Sequence, residues 1–163
     1  MKPGRLTPFV LSVGLATLSC GIAAAQPAAD VEAGVRAVWN AQVEAWNRGD
    51  LPGYMDGYWK SPALVFFSNG SAFRGWQATR DRYRATYRSG TKQMGILDFP
   101  ELEIVLLGPD AALARGRWRL KMPDGKEADG MTSVVFRKLP EGWRIVHDHS
   151  SREQQPAPAG SGG

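Results

Sequence analysis

The residues best suited to chemistry lie together in one short segment near the end of the chain. Residues 142–150 contain both histidines of the protein, His147 and His149, with the carboxylate of Asp148 between them. Imidazole and carboxyl groups commonly serve as general acids and bases near neutral pH. This segment is therefore the first candidate for a proton-binding or catalytic site.

The spacing of these residues determines which of them can act together. In a β-strand, neighbouring side chains point to opposite faces. Asp148 then shares one face with Ser150, while His147 and His149 share the other face with Ile145. A β-bulge in this strand is the alternative, because it would swap the faces and put the histidines inside.

Other chemistries find less support in the sequence. Two histidines two residues apart on one strand supply only two ligands for a zinc ion, which needs more. A serine–histidine triad is recognised by geometry, and the sequence alone does not support one around Ser150 and Ser151. There is no glycine-rich phosphate loop. We expect no metal and no cofactor.

Strands predicted by alternation must position this segment. The clearest covers residues 112–121, where small and apolar side chains alternate with arginine and lysine, as in an antiparallel strand with one exposed face. Short apolar runs and turn residues predict the others. The predicted strands are 64–68, 71–74, 101–106, 112–121, 131–137 and 143–150.

Three helices are predicted before and between these strands. Apolar residues recur at helical spacing over 30–48, with Asp30 as the expected N-cap. Asp50 is placed to cap a short second helix with Pro52 in its first turn. The third helix is predicted over 75–89. Helices on one side of an antiparallel sheet make an α+β domain, and large aromatic residues on these elements are expected to line an apolar cavity between the layers.

The two ends of the chain fall outside that domain. Lys2 and Arg5 precede an apolar stretch too short to span a bilayer, and residues 23–25 are alanines of the kind cut by signal peptidase. We expect a signal peptide over 1–25, a mature start at Gln26, and a periplasmic or secreted protein. A lipoprotein anchored at Cys20 is the alternative. Residues 153–163 lack an apolar pattern and predict a disordered tail.

Composition limits the kinds of partner expected for the mature protein and its predicted 26–152 domain. In the mature chain from Gln26, which lacks Lys2 and Arg5, 18 of the 20 basic residues remain against 16 acidic residues, so the net charge is +2. This near-neutral balance gives no reason to expect binding to nucleic acid or, in the mature form, to a membrane. Cys20 is the only cysteine, so the mature domain has no thiol for a disulfide or a metal.

Three segments resemble the nuclear transport factor 2-like superfamily, especially its SnoaL-like and calcium/calmodulin-dependent protein kinase II association-domain branches. They are 45–51, 72–76 and 142–150, and the resemblance covers about 30–152. It implies a cone-shaped α+β fold, with three helices packed on a curved antiparallel sheet, an internal pocket, and a homodimer or higher homo-oligomer. It implies little about chemistry, because this fold carries enzymes and assembly modules alike.

The resemblance also suggests which residues face the pocket. If Trp118 lies on the pocket face, the alignment with the kinase association domain puts Asp148 and Ser150 there too. Trp118 and Ser150 align with two pocket arginines of that domain, so its anion-binding pattern is absent from these positions. His147 and His149 then face outward, toward a second subunit. The expected ligand-pocket residues are Tyr58, Trp76, Tyr83, Tyr87, Trp118 and Ser150.

Two functions remain open at this point. One is a module that binds a small, largely apolar ligand and dimerises through its sheet without chemistry. The other is a cofactor-independent acid–base enzyme, such as an isomerase, dehydratase or hydrolase, with Asp148 as the proton carrier. A carboxyl group in an apolar pocket has a raised pKa, which suits it to proton transfer near neutral pH.

Overall fold

The computed structural model describes residues 25–87 and 94–153 of the chain. Its helices are α1 (Ala25–Asn47), α2 (Leu51–Met55) and α3 (Trp76–Tyr87), and its strands are β1 (Val65–Ser68), β2 (Ser71–Arg74), β3 (Ile96–Asp98), β4 (Glu103–Gly108), β5 (Ala111–Lys121), β6 (Glu127–Leu139) and β7 (Gly142–Arg152). The predicted signal peptide, apart from Ala25, and all but Glu153 of the predicted tail lie outside the described residues.

The helices follow the predicted order, with one change at the first boundary. α1 begins at Ala25, so Asp30 lies inside the helix and the prediction of Asp30 as its N-cap is wrong. Asp50 does cap α2, because its side chain accepts a 2.9 Å hydrogen bond from the Gly53 N–H. Among the described residues, no helix is both long and apolar enough to cross a membrane.

The strands form one open, curved sheet with the helices against it. The order is β2-β1-β7-β6-β5-β3, and β4 also pairs with β5. Antiparallel pairing links neighbours within this order except at β1 and β7, which run parallel. The predicted α+β class is confirmed. The parallel pair adds a feature that local patterns do not reveal, because β1 and β7 are far apart in the chain.

Strand β3 is the element that alternation did not predict. It is only three residues long, and it pairs with the far end of β5. Asn47, at the end of α1, holds it in place, since its side-chain amide both accepts from the Leu97 N–H at 2.8 Å and donates to the Leu97 carbonyl at 3.1 Å. A tertiary contact therefore defines β3 where its own sequence is too short to do so.

A β-bulge in β7 sets the direction of the candidate residues. Val135 of β6 pairs with His147, but the next residue, Phe136, pairs with Ile145, so Val146 has no partner in the ladder. Ile145 is 2% exposed and Asp148 is 3% exposed, and both lie on the inner face. The prediction that Ile145 shares the histidine face is therefore wrong, because the bulge interrupts the alternation between them.

The core lies between α1 and the inner face of the sheet. Val35, Trp39 and Trp46 follow the helical spacing along α1 and are buried. They pack with the small and apolar residues of β5, of which Ala112, Ala114 and Leu120 are buried as the alternation predicted. The cavity described next lies against this inner face, where Trp118 and Leu120 of β5 form part of its wall.

Candidate functional site

A cavity of about 320 Å³ lies between the helices and the inner face of the sheet. Aromatic and aliphatic side chains form most of its wall. The residues that line it are Trp39, Gln42, Val43, Trp46, Tyr54, Tyr58, Phe66, Ser68, Asn69, Arg82, Tyr83, Thr86, Tyr87, Leu97, Phe99, Trp118, Leu120, Met122, Ala128, Thr132, Val134, Ile145, Asp148, Ser150 and Arg152.

Asp148 is the polar centre of this cavity. Tyr58 donates a 2.7 Å hydrogen bond to its Oδ2, and Ser150 donates a 2.8 Å bond to its Oδ1. Thr132 of β6 lies 2.9 Å from the Ser150 hydroxyl and extends the network across the sheet. Each carboxylate oxygen therefore has a hydroxyl partner, which fixes the orientation of the group.

The balance of burial and hydrogen bonding poises Asp148 for proton transfer. Burial raises the pKa of Asp148 to about 6, although the hydrogen bonds from Tyr58 and Ser150 and the charge of His149 lower it in part. At neutral pH the carboxyl is mostly ionised and can accept a proton, while at mildly acidic pH it can donate one.

Three tyrosines surround the carboxylate on the helical side. The hydroxyl of Tyr58 lies 3.1 Å from that of Tyr83 and 3.3 Å from that of Tyr54, and Tyr54 and Tyr83 are 3.3 Å apart. When Asp148 is ionised, the Tyr58 hydroxyl donates its one hydrogen bond to the carboxylate, so towards its tyrosine neighbours the Tyr58 oxygen can only accept. Burial and then the negative charge of Asp148 hold the pKa of Tyr58 well above its usual value, and the tyrosines stay neutral.

The local sequence explains how these groups meet. Tyr58 follows α2 and is held by a bridge to Ile145, with the Ile145 N–H donating to the Gly57 carbonyl at 2.9 Å. Tyr83 lies in the middle of α3, stacked on Phe66 of β1 with ring centroids 5.4 Å apart. Phe66 pairs with Asp148 in the parallel ladder, so the two strands and the two helices converge on this carboxylate.

Of the seven residues predicted at the pocket, counting the candidate proton carrier, six line the cavity and one does not. Asp148, Tyr58, Tyr83, Tyr87, Trp118 and Ser150 all line the cavity. Trp76 does not line it, so its prediction as a pocket residue is wrong. Its indole N–H donates to the Met55 carbonyl at 3.1 Å, and its ring lies under Lys60 and Arg80 in a separate groove between α2 and α3.

The histidines lie on the other face of the sheet. His149 is exposed and His147 is half-buried, and the ring of Phe67 lies edge-on to both at 5.2 Å from His147 and 6.0 Å from His149. Burial and the neighbouring His149 lower the pKa of His147. Among residues 25–87 and 94–153, no three histidine, cysteine or acidic side chains come together in a way that could hold a metal ion.

Sequence reasoning missed the polar role of Tyr54 and the contributions of Gln42 and Thr132. The spacing of Tyr54 and Tyr58, four residues apart at the end of a helix, was a usable signal for paired hydroxyls on one face. Gln42 of α1 is buried and donates to the Tyr54 carbonyl at 2.9 Å, which ties α1 to the tyrosine cluster. No local pattern marked Gln42 or Thr132, because their roles depend on contacts between distant elements.

Comparison with known proteins gives the family and its structural relatives. A family model described as a SnoaL-like domain matches residues 35–156. An NTF-2 like protein of unknown function from Shewanella oneidensis MR-1 is 36% identical, with a TM-score of 0.69, over 74% of this chain and 98% of that protein. None of the functionally curated proteins matches this chain in sequence.

Two more distant structures share the fold alone. A ketosteroid isomerase-like protein from Erwinia carotovora atroseptica SCRI1043 is 21% identical, with a TM-score of 0.61, over 76% of this chain and 96% of that one. A putative calcium/calmodulin-dependent protein kinase type II association domain from Thiobacillus denitrificans ATCC 25259 is 17% identical, with a TM-score of 0.61, over 73% of this chain and 94% of that one.

Proposed function

This chain belongs to the SnoaL-like domain family, and from that premise we propose that it binds a small, largely apolar ligand in the cavity between its helices and sheet. The cavity itself carries the proposal, because its wall is mostly aromatic and aliphatic and, among the described residues that line it, Asp148 is the one buried carboxylate. Its volume of about 320 Å³ falls in the range of small-molecule sites, which combine apolar walls with a few convergent polar groups. We expect a polar group of the ligand to contact Asp148.

Native mass spectrometry of the purified protein is the test of this proposal. We expect either a bound mass that departs on denaturation or, for the empty protein, uptake of a bicyclic aromatic probe such as 6-hydroxy-2-naphthoate. Ala128→Phe places a ring in the cavity and should abolish binding, while Ala41→Phe adds the same ring on an exposed position of α1 and should not. The proposal fails if the wild-type protein carries no ligand and binds no probe.

The buried carboxylate favours a second candidate, a cofactor-independent acid–base enzyme. In such a reaction Asp148 would remove a proton from a carbon beside a ligand carbonyl, leave the electron pair on the carbonyl oxygen, and return a proton to carbon. The pKa of Asp148, about 6, and the fixed bond from Tyr58 support this role. The fold shared with a ketosteroid isomerase-like protein is compatible with it.

Proton exchange into a simple ketone separates the enzyme from the pure binding module. NMR would follow deuterium incorporation from D₂O into 2-tetralone, an enolisable bicyclic ketone. Catalysed exchange that rises through about pH 6 and is lost in Asp148→Asn supports the enzyme. Binding of the ketone without any acceleration of exchange, in both forms, supports the module.

We propose further that two copies associate through the outer face of the sheet. Met131 is 49% exposed on this face, and Phe67, His147 and His149 form an aromatic cluster beside it. Light scattering after gel filtration should give a dimer or a higher oligomer for the wild type. Met131→Glu should shift it toward the monomer, and Asn40→Glu, on an exposed position of α1, should not.

Export of the protein is the remaining part of the proposal. The basic start, the apolar stretch 9–18 and the alanines at 23–25 support removal of residues 1–25 on secretion. N-terminal sequencing of the exported protein should begin at Gln26. A lipid-modified N-terminus at Cys20 would favour the lipoprotein alternative instead.

A further inference from the structure

The exposed end of the cavity carries two arginines. Asn69, Thr86 and Arg152 are exposed, Arg82 and Tyr87 are half-buried, and all five line the cavity. They therefore form its mouth. Arg82 lies on α3 with its guanidinium over the ring of Phe73 at 5.6 Å. Arg152 lies at the end of β7, where its backbone N–H donates to Asn69 Oδ1 at 2.9 Å.

Both guanidinium groups act on the same side chain. Burial raises the pKa of Tyr87, and the positive charges of Arg82 and Arg152 both oppose that rise. Two cations that influence one hydroxyl create a positive potential at the mouth. A positively charged opening attracts and orients anionic ligands.

No acid neutralises this pair among the described residues. On the outer sheet face Arg115 and Arg117 form ion pairs with carboxylates, but neither Arg82 nor Arg152 forms an ion pair with any described residue. The sequences of 88–93 and 154–163 contain no aspartate or glutamate. Asp148 is the only acid among the described residues that line the cavity.

The negative charge lies inside the cavity, whereas the positive charges lie at its mouth. Asp148, Ser150 and Arg152 alternate along the inner face of β7, so the Cα atoms of Asp148 and Arg152 are about 13 Å apart along the strand. A negative group inside the cavity repels an anion, and the positive mouth attracts one. A ligand with one anionic end can therefore enter in only one orientation, with that end at the mouth.

From this polarity, and resting on the proposed function, we infer that the ligand is an amphipathic monocarboxylate. Its apolar body fills the aromatic cavity, its carboxylate contacts Arg82 and Arg152, and a hydroxyl or carbonyl at its far end meets Asp148 and Tyr58. Guanidinium groups bind carboxylates through paired charge-assisted hydrogen bonds, which gives the two arginines the role of selecting and orienting the ligand.

The test compares 6-hydroxy-2-naphthoate with its methyl ester by isothermal titration calorimetry on the purified protein. The two probes share the ring and the distal hydroxyl and differ in the anionic charge. We expect the acid to bind about tenfold more tightly than the ester, because only the acid offers a charged group to the hydrogen bonds of the arginines. Arg82→Gln and Arg152→Gln should each reduce this preference, and the double variant should abolish it. Arg84→Gln, on an exposed position of α3 outside the cavity lining, should retain it.

The ester also reports whether each variant keeps its cavity, because its affinity should be the same in all of them. Equal affinities of acid and ester for the wild type would overturn the inference and leave the proposed function standing. A preference for the acid that survives the double variant would overturn the role of these arginines. Binding of neither probe by a protein that native mass spectrometry shows to be empty would overturn the proposed function itself, and this inference with it.

Discussion

Tyr58 donates a 2.7 Å hydrogen bond to Asp148, and the two residues are buried to 1% and 3% exposure although they lie 90 positions apart in the chain. This bond joins the end of α2 to the last strand of the sheet. It stabilises the charged form of Asp148, whereas burial destabilises that form. The opposition of these two effects leads to the first two predictions.

Asp148→Asn should change how stability depends on pH. Burial raises the pKa of Asp148 from 3.8 to about 6, so the folded state holds this proton more tightly than the unfolded state. Its contribution to stability is complete below about pH 4 and is lost as pH rises through about 6, a change of about 3 kcal/mol. Asparagine can accept from Tyr58 but does not titrate, so the variant lacks this loss.

Urea unfolding of both proteins between about pH 4 and about pH 8 measures the effect. The free energy of unfolding of the wild type, minus that of the variant, should fall by about 3 kcal/mol across this range. The lowered pKa of His147 acts in the opposite direction, and it cancels in the difference because both proteins contain it. A difference that stays constant with pH would contradict the prediction.

Tyr58→Phe should raise the pKa of Asp148 above about 6, because the bond from Tyr58 lowers it. The variant should also lose more stability at alkaline than at acidic pH, by about 1–3 kcal/mol, since the ionised, buried carboxylate then lacks one of its two hydroxyl partners. A ¹³C NMR titration of labelled aspartate would follow the carboxyl directly. Tyr83→Phe is the matched control, because it leaves the bond between Tyr58 and Asp148 intact.

The two tryptophans Trp76 and Trp118 should differ in their effects on binding. Trp76→Phe removes the bond to the Met55 carbonyl, and it should cost about 1 kcal/mol of stability without changing the affinity for 6-hydroxy-2-naphthoate. Trp118→Phe alters the cavity wall and should weaken that affinity. Isothermal titration calorimetry measures the affinity of each variant for this probe. An equal loss of affinity in both variants would contradict the placement of Trp76 outside the cavity.

Gly130→Ala should lower the free energy of unfolding by about 1–3 kcal/mol, as overpacking does. A Cβ at this position would meet the backbone carbonyl of Ser151 and lie 2.8 Å from Cζ2 of Trp118. The backbone of β7 would have to move, because a backbone carbonyl, unlike a side chain, cannot change its rotamer to make room. Ser133→Ala, on an exposed position of the same strand, is the control and should leave stability nearly unchanged. Equal urea midpoints for the two variants would contradict this argument.

Local patterns were enough for the elements that local chemistry defines. The capping of α2 by Asp50 and the alternation of β5 both follow from neighbours in the chain, and both appear in the structure as predicted. The short strand β3 escaped prediction because Asn47 holds it from α1. Trp76 was misplaced because its helical spacing with Tyr83 does not reveal that α2 packs against one side of α3.

By itself, the sequence determined the α+β class, the family resemblance, and the set of aromatic and titratable groups from which a site can be built. These depend on residue types and short periodicities. Only the tertiary structure decided which way the last strand presents those groups. Alternation placed Ile145 with the histidines, but the unpaired Val146 turns both Ile145 and Asp148 inward. A bulge is a mismatch in the pairing of two strands, so it arises only when β6 and β7 come together.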